Sequence, residues 1–345
     1  MRHVHQTATE RGSQCLSRNL MGSSRQSTPS LHLEPDGAFV TRRRPFSFSQ
    51  FDVGPFPLYT VFNMTDSHCH IHFQSYKEDM EDVIARTQTR GVRMITIGTQ
   101  TSTSKYGIEV AEAHENMWCS VGLHPSHVHR QTIHEDAQEA FNTRAESFDK
   151  EYYRELIKSS SKVVAIGEVG LDFFRLPDIG KEDVMETQLV NLHHALELAN
   201  ETDMPVILHV RDAHAEMVEV LKQYTESGRL ERRGVVHCFT GTIDEARAYH
   251  DIGFYTSFTG IMTFKDKKDP EKLTPLMEVA RDVPLEWMLV ETDAPYLTPE
   301  PNRGKRNEPW MVIHVAEKVA KLKGVTVEEV ERITDENANK LFKLV

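Results

Sequence analysis

The sequence predicts an α/β protein. It reads as a closed (β/α)8 TIM barrel over residues 64–345, preceded by a disordered or targeting extension over residues 1–63. Two observations predict the barrel. From residue 65 onward, short apolar or β-branched runs alternate with longer stretches of helical period, which is the pattern of βα units in a parallel sheet. Eight such runs fall within 282 residues, the size of a closed barrel. An open doubly wound sheet would usually have fewer strands and a glycine-rich phosphate loop after the first. No G-x-G-x-x-G follows any of the runs, and no solenoid-type repeat is evident.

In chain order, residues 1–63 lack helical or strand period and are rich in Ser, Arg, Pro and Gln. Such a stretch cannot bury enough apolar surface to offset its ordering entropy. Its first thirty residues hold four Arg and one acid, Glu10, which also fits a mitochondrial transit peptide, although the amphipathic helix is weak. Met64 directly precedes the first organised segment. The strand candidates are 65–69, 92–98, 117–121, 162–167, 205–209, 234–238, 253–258 and 287–292. Between them lie amphipathic stretches such as 184–200, where Met185, Leu189, Leu192, Leu196 and Ala199 recur every three or four residues and form one buried stripe.

Composition narrows the function classes. With 39% hydrophobic and 27% charged residues the chain is an ordinary globular protein, and no run of eighteen apolar residues offers a membrane-spanning helix. Cys15, Cys69, Cys119 and Cys238 are scattered, which argues for free thiols in a reducing compartment. The expectation is a cytoplasmic protein, with the nucleus a second location, or a mitochondrial one if residues 1–63 are a transit peptide. The net charge is −12, but residues 1–63 carry about +3, leaving about −15 on the rest. So acidic a body does not coat duplex nucleic acid, because that binding rests on many Lys and Arg contacts to phosphate. No obligate protein partner is evident.

The chemistry-bearing residues sit at strand ends. The first run ends in Asp66-Ser67-His68-Cys69-His70, and alternation along an extended chain points His68 and His70 to one side. Among 18 histidines an isolated H-x-H pair is weak evidence. The fourth run, however, ends in Glu168, the fifth in His209, the sixth in His237 and the eighth in Asp293. A barrel brings these ends to the mouth where barrel active sites lie. Four imidazoles and two carboxylates exceed the needs of one tetrahedral ion, whereas two ions would use them all, with Glu168 as a bridge. Mg²⁺, Mn²⁺ and Zn²⁺ all remain open. Arg211, Arg303, Lys305 and Arg306 offer contacts for phosphate oxygens, the guanidinium groups two at a time. His124 and His127 follow the third strand and face the mouth as substrate-side groups, or as groups that support the ligands, rather than as ligands themselves.

Together with Gly122-Leu-His-Pro125, Gly167-Glu-Val-Gly-Leu-Asp172, His209-Val-Arg211, His237-Cys-Phe-Thr-Gly241, Glu291-Thr-Asp-Ala-Pro-Tyr-Leu297 and Arg303-Gly-Lys-Arg-Asn-Glu-Pro309, this arrangement resembles the TatD family of metal-dependent hydrolases and deoxyribonucleases over residues 65–345. The resemblance implies one ion held by His68, His70, Glu168 and Asp293 and another by Glu168, His209 and His237, with Asp293 activating the attacking water. Related barrels often bridge their metals through a carboxylated Lys where this chain has Glu168, which separates it from dihydroorotase-like enzymes. The family often has an aromatic residue where Asn302 stands, so base stacking at that point is not expected. The activity implied is hydrolysis of DNA phosphodiesters, from the 3′ end of single strands. Hydrolysis of an ester or amide, such as an aminoacyl-tRNA ester, is the alternative enzyme reading, and a non-catalytic metal-binding interaction module is the alternative of another class.

Overall fold

A computed structural model describes residues 63–344 except 130–131, 134–140, 144, 175, 177–179, 267 and 270. All described residues belong to one compact unit. The extension expected over 1–63 therefore lies outside them but for Asn63.

Eight strands form one parallel sheet in sequence order: β1 (Met64–Cys69), β2 (Val92–Ile97), β3 (Met117–Val121), β4 (Val163–Asp172), β5 (Val206–Arg211), β6 (Gly234–Val236), β7 (Tyr255–Phe258) and β8 (Met288–Val290). The ring closes just beyond β8. Asp293 N–H donates to the His68 carbonyl (2.8 Å), and His70 N–H donates to that of Ala294 (2.7 Å). The fully buried Asp66 carboxylate pins the same seam by accepting the backbone N–H (2.9 Å) and hydroxyl (2.6 Å) of Thr292. A two-stranded antiparallel ribbon (Thr132–Ile133 with Phe141–Asn142) follows β3 outside the barrel.

The strands differ from expectation mainly at their ends. β4 was expected to stop at Gly167 but continues to Asp172, pairing Val169, Leu171 and Asp172 with Leu208, Val210 and Arg211 of β5. Its glycines allow close approach rather than breaking the strand. A Cβ on Gly170 would lie 1.9 Å from the His209 carbonyl oxygen, and one on Gly167 would lie 2.6 Å from the Ile207 Cβ. Glu168 thus sits inside a strand, after a cis Gly167–Glu168 peptide. β6 and β8 are shorter than expected because Cys238 and Asp293 turn to positive φ (44° and 55°). β7 begins later because Phe254 N–H still closes the preceding helix on the Tyr249 carbonyl (3.0 Å).

Helices cover the outside: α1 (Met80–Gln88), α2 (Thr101–Ala113), α3 (Lys150–Ser159), α4 (Lys181–Thr202), α5 (His214–Glu226), α6 (Ile243–Asp251), α7 (Pro275–Asp282), α8 (Val312–Lys323) and α9 (Val327–Phe342). α4 contains the expected 184–200 stripe. Leu192, Leu196 and Ala199 are buried, while Met185 and Leu189 pack partly buried on the same core. Side-chain caps start several of these helices, Asp149 on α3, Thr242 on α6, Thr274 on α7 and Thr326 on α9, each satisfying N–H groups that have no partner within the helix. No helix of the described residues is long and apolar enough to cross a membrane.

Two apolar layers follow from the strands' period of two. Ile95, Ile97, Ala165, Ile207, Val235 and Leu289 meet inside the ring, and Ala338, Leu341 and Phe342 of α9 pack beneath them. Val121, Leu208, Val236 and Val290 face the helices. The inner parity decides the site. Two residues beyond Ile207 stands His209, two beyond Val235 stands His237, and beyond Leu289 on the same side stand Glu291 and Asp293.

Candidate metal centre

Above the inner apolar layer the barrel turns polar, and Glu168 occupies its middle with 3% of its side chain exposed. Its two carboxylate oxygens face different histidines. Oε2 lies 3.5 Å from Nε2 of His68 and 3.9 Å from Nε2 of His70, and both nitrogens also face Oδ1 of Asp293 (3.7 and 3.4 Å). Oε1 lies 2.7 Å from Nε2 of His237 and 2.8 Å from Nδ1 of His209, nitrogens themselves 3.2 Å apart. All six residues expected to ligate metal come together, and they fall into two groups that share only Glu168.

The tautomers decide which atoms can bind an ion. His70 Nδ1 lies 2.9 Å from the Ile97 carbonyl. A carbonyl can only accept, so Nδ1 carries the proton and Nε2 offers a lone pair. That lone pair sits 3.3 Å from Nε2 of His68. Acceptors converging on one point are stable only around a cation or shared protons. On the outer side of the rings, His209 Nε2 lies 3.4 Å from Oδ2 of Asp172, and His237 Nδ1 lies 3.4 Å from Oε1 of the fully buried Glu291. A carboxylate behind a ligating imidazole fixes the ring and makes it a better donor. The donor set fits a divalent metal.

Charge follows the same pattern. Burial works against the charged form of Glu168, yet His237 and His124 hold its carboxyl well below the usual range. Burial likewise opposes charge on Asp293, and His70 and His68 outweigh it, keeping Asp293 ionised. Burial would lower His209, but Asp172 and Glu168 push it up to about 9. Without an ion, protons take the place of positive charge around Glu168.

His124, expected on the substrate side, reaches the centre, with Nε2 3.3 Å from Glu168 Oε1. Its Nδ1 accepts the Ser126 N–H (3.1 Å), and burial lowers its pKa. The neutral ring must therefore carry its proton on Nε2, which makes it a hydrogen-bond donor and not a ligand. His70, His124, Glu168, His209, His237 and Asp293 line one cavity of about 690 Å³, and Arg211, Arg303, Lys305 and Arg306 line it as well. The arginines differ. The Arg211 guanidinium lies over Phe174 and that of Arg303 over Phe264, each 3.7 Å from the ring centroid. Arg306 is forked onto both oxygens of Asp79 (2.9 and 2.6 Å), so its two-point contact is already taken within the protein. The sequence reading gave no role to Glu291 or Asp172. The signal for Glu291 was there, since it stands two residues before Asp293 in the same extended run.

Against known proteins, the profile of the TatD related DNases matches residues 65–343. The chain belongs to the TatD family of metal-dependent hydrolases. It is 37% identical to the uncharacterized metal-dependent hydrolase YabD of Bacillus subtilis, a match covering 81% of this chain and 98% of that one. It is 34% identical to the 3'-5' ssDNA/RNA exonuclease TatD of Pantoea ananatis, over 82% and 100% of the two chains. Among solved structures, the TatD homolog YJJV of Escherichia coli superposes with a TM-score of 0.67 at 26% identity, covering 83% of this chain and 100% of that chain. The TatD assignment bears out the family expected from the motifs, and the ring of eight parallel strands bears out the barrel.

Proposed function

We propose that this TatD-family hydrolase cleaves phosphodiester bonds of single-stranded DNA from the 3′ end, using two divalent ions. His68, His70, Glu168 and Asp293 would hold one ion, and Glu168, His209 and His237 the other. The observation that carries this reading is the division of the Glu168 oxygens between two imidazole pairs, 3.5 and 3.9 Å on one side and 2.7 and 2.8 Å on the other. Relatives named 3'-5' ssDNA/RNA exonuclease at 32–34% identity support the substrate class.

When bound, such ions polarise phosphoryl oxygens and make water acidic enough to attack at neutral pH. The protein's own groups do the rest. Asp293 is ionised, 14% exposed and on the cavity wall, so its carboxylate can orient a water molecule and take its proton. His124, on the same cavity wall, directs its Nε2–H at Glu168 Oε1 (3.3 Å) and so helps to orient that carboxylate. Arg303, stacked over Phe264 at 3.7 Å with one weak donor contact to the Thr298 carbonyl (3.5 Å), has further N–H groups for a phosphate. The acidic body and local basic rim suit a strand held by its end rather than a duplex held along its length.

The test offers the full chain single-stranded DNA, duplex DNA and an aminoacyl ester in parallel, with and without added Mg²⁺, Mn²⁺ or Zn²⁺. Metal-dependent release of nucleotides from the 3′ end is expected, and cleavage of the ester alone would overturn the reading. Asp293→Asn should lower turnover at least about 100-fold while the protein still binds metal.

A further inference from the structure

We propose that Phe174, with Arg211 stacked against it, forms a base-stacking platform at the rim of the metal centre that holds a nucleotide of the single-stranded substrate. The inference rests on the nuclease reading and adds to it a specific contact to a base.

Among the described residues three large apolar side chains are exposed, Tyr106, Phe174 and Val190, and Phe174 is the most open of them at 57%. An exposed aromatic ring is unremarkable in isolation, but the placement of this one is not arbitrary. Its backbone N–H donates to Oδ1 of Asp172 (3.0 Å), and the other oxygen of that carboxylate lies 3.4 Å from Nε2 of His209. One carboxylate therefore sets both a ring of the metal centre and the residue that carries the platform. Arg211 reaches Phe174 from β5, two residues beyond His209. It covers one side of the aromatic ring at 3.7 Å and lines the cavity over the metal centre.

This pair has two complementary faces for a nucleotide. The guanidinium, 3.7 Å from the ring centroid, has N–H groups that can bind phosphate oxygens. The exposed surface of the ring accepts the flat face of any base, which suits an enzyme that must take strands of any sequence. Inside a duplex both faces of each base are already stacked, so only single strands and ends offer a free face to such a platform. The platform accordingly favours single strands without reading their sequence. Phe264 and Arg303 repeat the same stack on the wall built by the segments after β7 and β8, with Phe264 itself lining the cavity. Phe174 is instead outside that lining, 57% exposed and joined to the cavity through Arg211, which does line it.

The experiment compares the wild-type chain with Phe174→Ala and Phe174→Trp on a short single-stranded oligodeoxynucleotide and on the same strand carrying abasic sites, with thermal melting to show that each variant folds. Phe174→Ala should raise KM on the normal strand about tenfold, the size of one lost base-stacking contact, with a much smaller change in kcat, and Phe174→Trp should restore it. Abasic sites should raise KM for the wild type and leave Phe174→Ala indifferent. An unchanged KM in Phe174→Ala, or a loss of kcat alone, overturns the platform and leaves the nuclease reading standing. A wild type that cleaves neither strand overturns the nuclease reading itself.

Discussion

Oε1 of Glu168 lies 2.7 Å from Nε2 of His237, and the two side chains are 3% and 4% exposed. The contact joins strands β4 and β6 across β5, with His209 of the intervening strand meeting the same oxygen at 2.8 Å. A single carboxylate oxygen thus meets these two imidazoles and, at 3.3 Å, that of His124, while its twin faces two more.

Glu168→Gln tests that sharing. The amide keeps the size of the side chain but removes the charge and replaces one acceptor oxygen by a donor. Both halves of the centre should suffer, with metal bound per protein falling and turnover reduced at least about 100-fold. Metal content by elemental analysis, read beside activity, checks it. A variant that retains two ions and full turnover would remove Glu168 from the centre.

The response to pH follows from His209. Its ordinary value is 6.5, and in the folded, metal-free protein burial is outweighed by Asp172 and Glu168, which raise it to about 9. A raised folded value means that the stabilisation from its charge is complete below about 6.5 and lost as pH rises through about 9. Metal must displace this proton, so affinity should climb with pH up to about 9, and binding at neutral pH should release protons. Calorimetry in buffers of different ionisation enthalpy measures the release. Binding enthalpies that do not depend on buffer would contradict it.

Gly170→Ala tests how closely β4 and β5 must approach. The added Cβ would fall 1.9 Å from the His209 carbonyl oxygen and 2.8 Å from its carbonyl carbon, neither of which is a flexible side-chain end. The strands would have to part at the residue that carries a metal-facing imidazole. A loss of about 3 kcal/mol in urea unfolding is expected, together with weaker metal binding. Wild-type values for both would show that the backbone yields there without cost.

Arg303 and Arg306 should separate by phenotype although they are three residues apart. Arg306→Ala breaks the fork to Asp79, a pair about one-third exposed, and should cost about 1 kcal/mol of stability with KM for DNA nearly unchanged. Arg303→Ala should raise KM with little change in melting temperature. Steady-state kinetics paired with melting curves decides, and the reverse pattern would exchange their roles.

The barrel was legible because strands buried on both faces must be rich in β-branched residues, and all eight expected runs coincide with strands. Their ends were less legible, for reasons that are themselves local. Gly167 and Gly170 read as breakers in a one-dimensional pattern but serve close approach between β4 and β5. Cys238 and Asp293 take positive φ, a conformation uncommon for any residue but glycine, and for Asp favoured only modestly. In the site, the metal-facing residues stood out because His and Asp at the ends of apolar runs are conspicuous. The groups behind them did not, since Asp172 and Glu291 act through distances to His209 and His237 that only the fold creates. Arg306 shows the converse, because its partner Asp79 lies far away in sequence and nothing local marks the fork as occupied.

The seam between β1 and Asp293 also bears on biosynthesis. His68 and His70 are among the earliest barrel residues to leave the ribosome, and Asp293 and the α9 plug are among the last. The growing chain therefore carries His68 and His70 for most of translation without Asp293, and the ring around them cannot close. On the ligand set proposed above, the full set of donors exists only after closure, so metal would be taken up by a finished barrel rather than by a nascent chain.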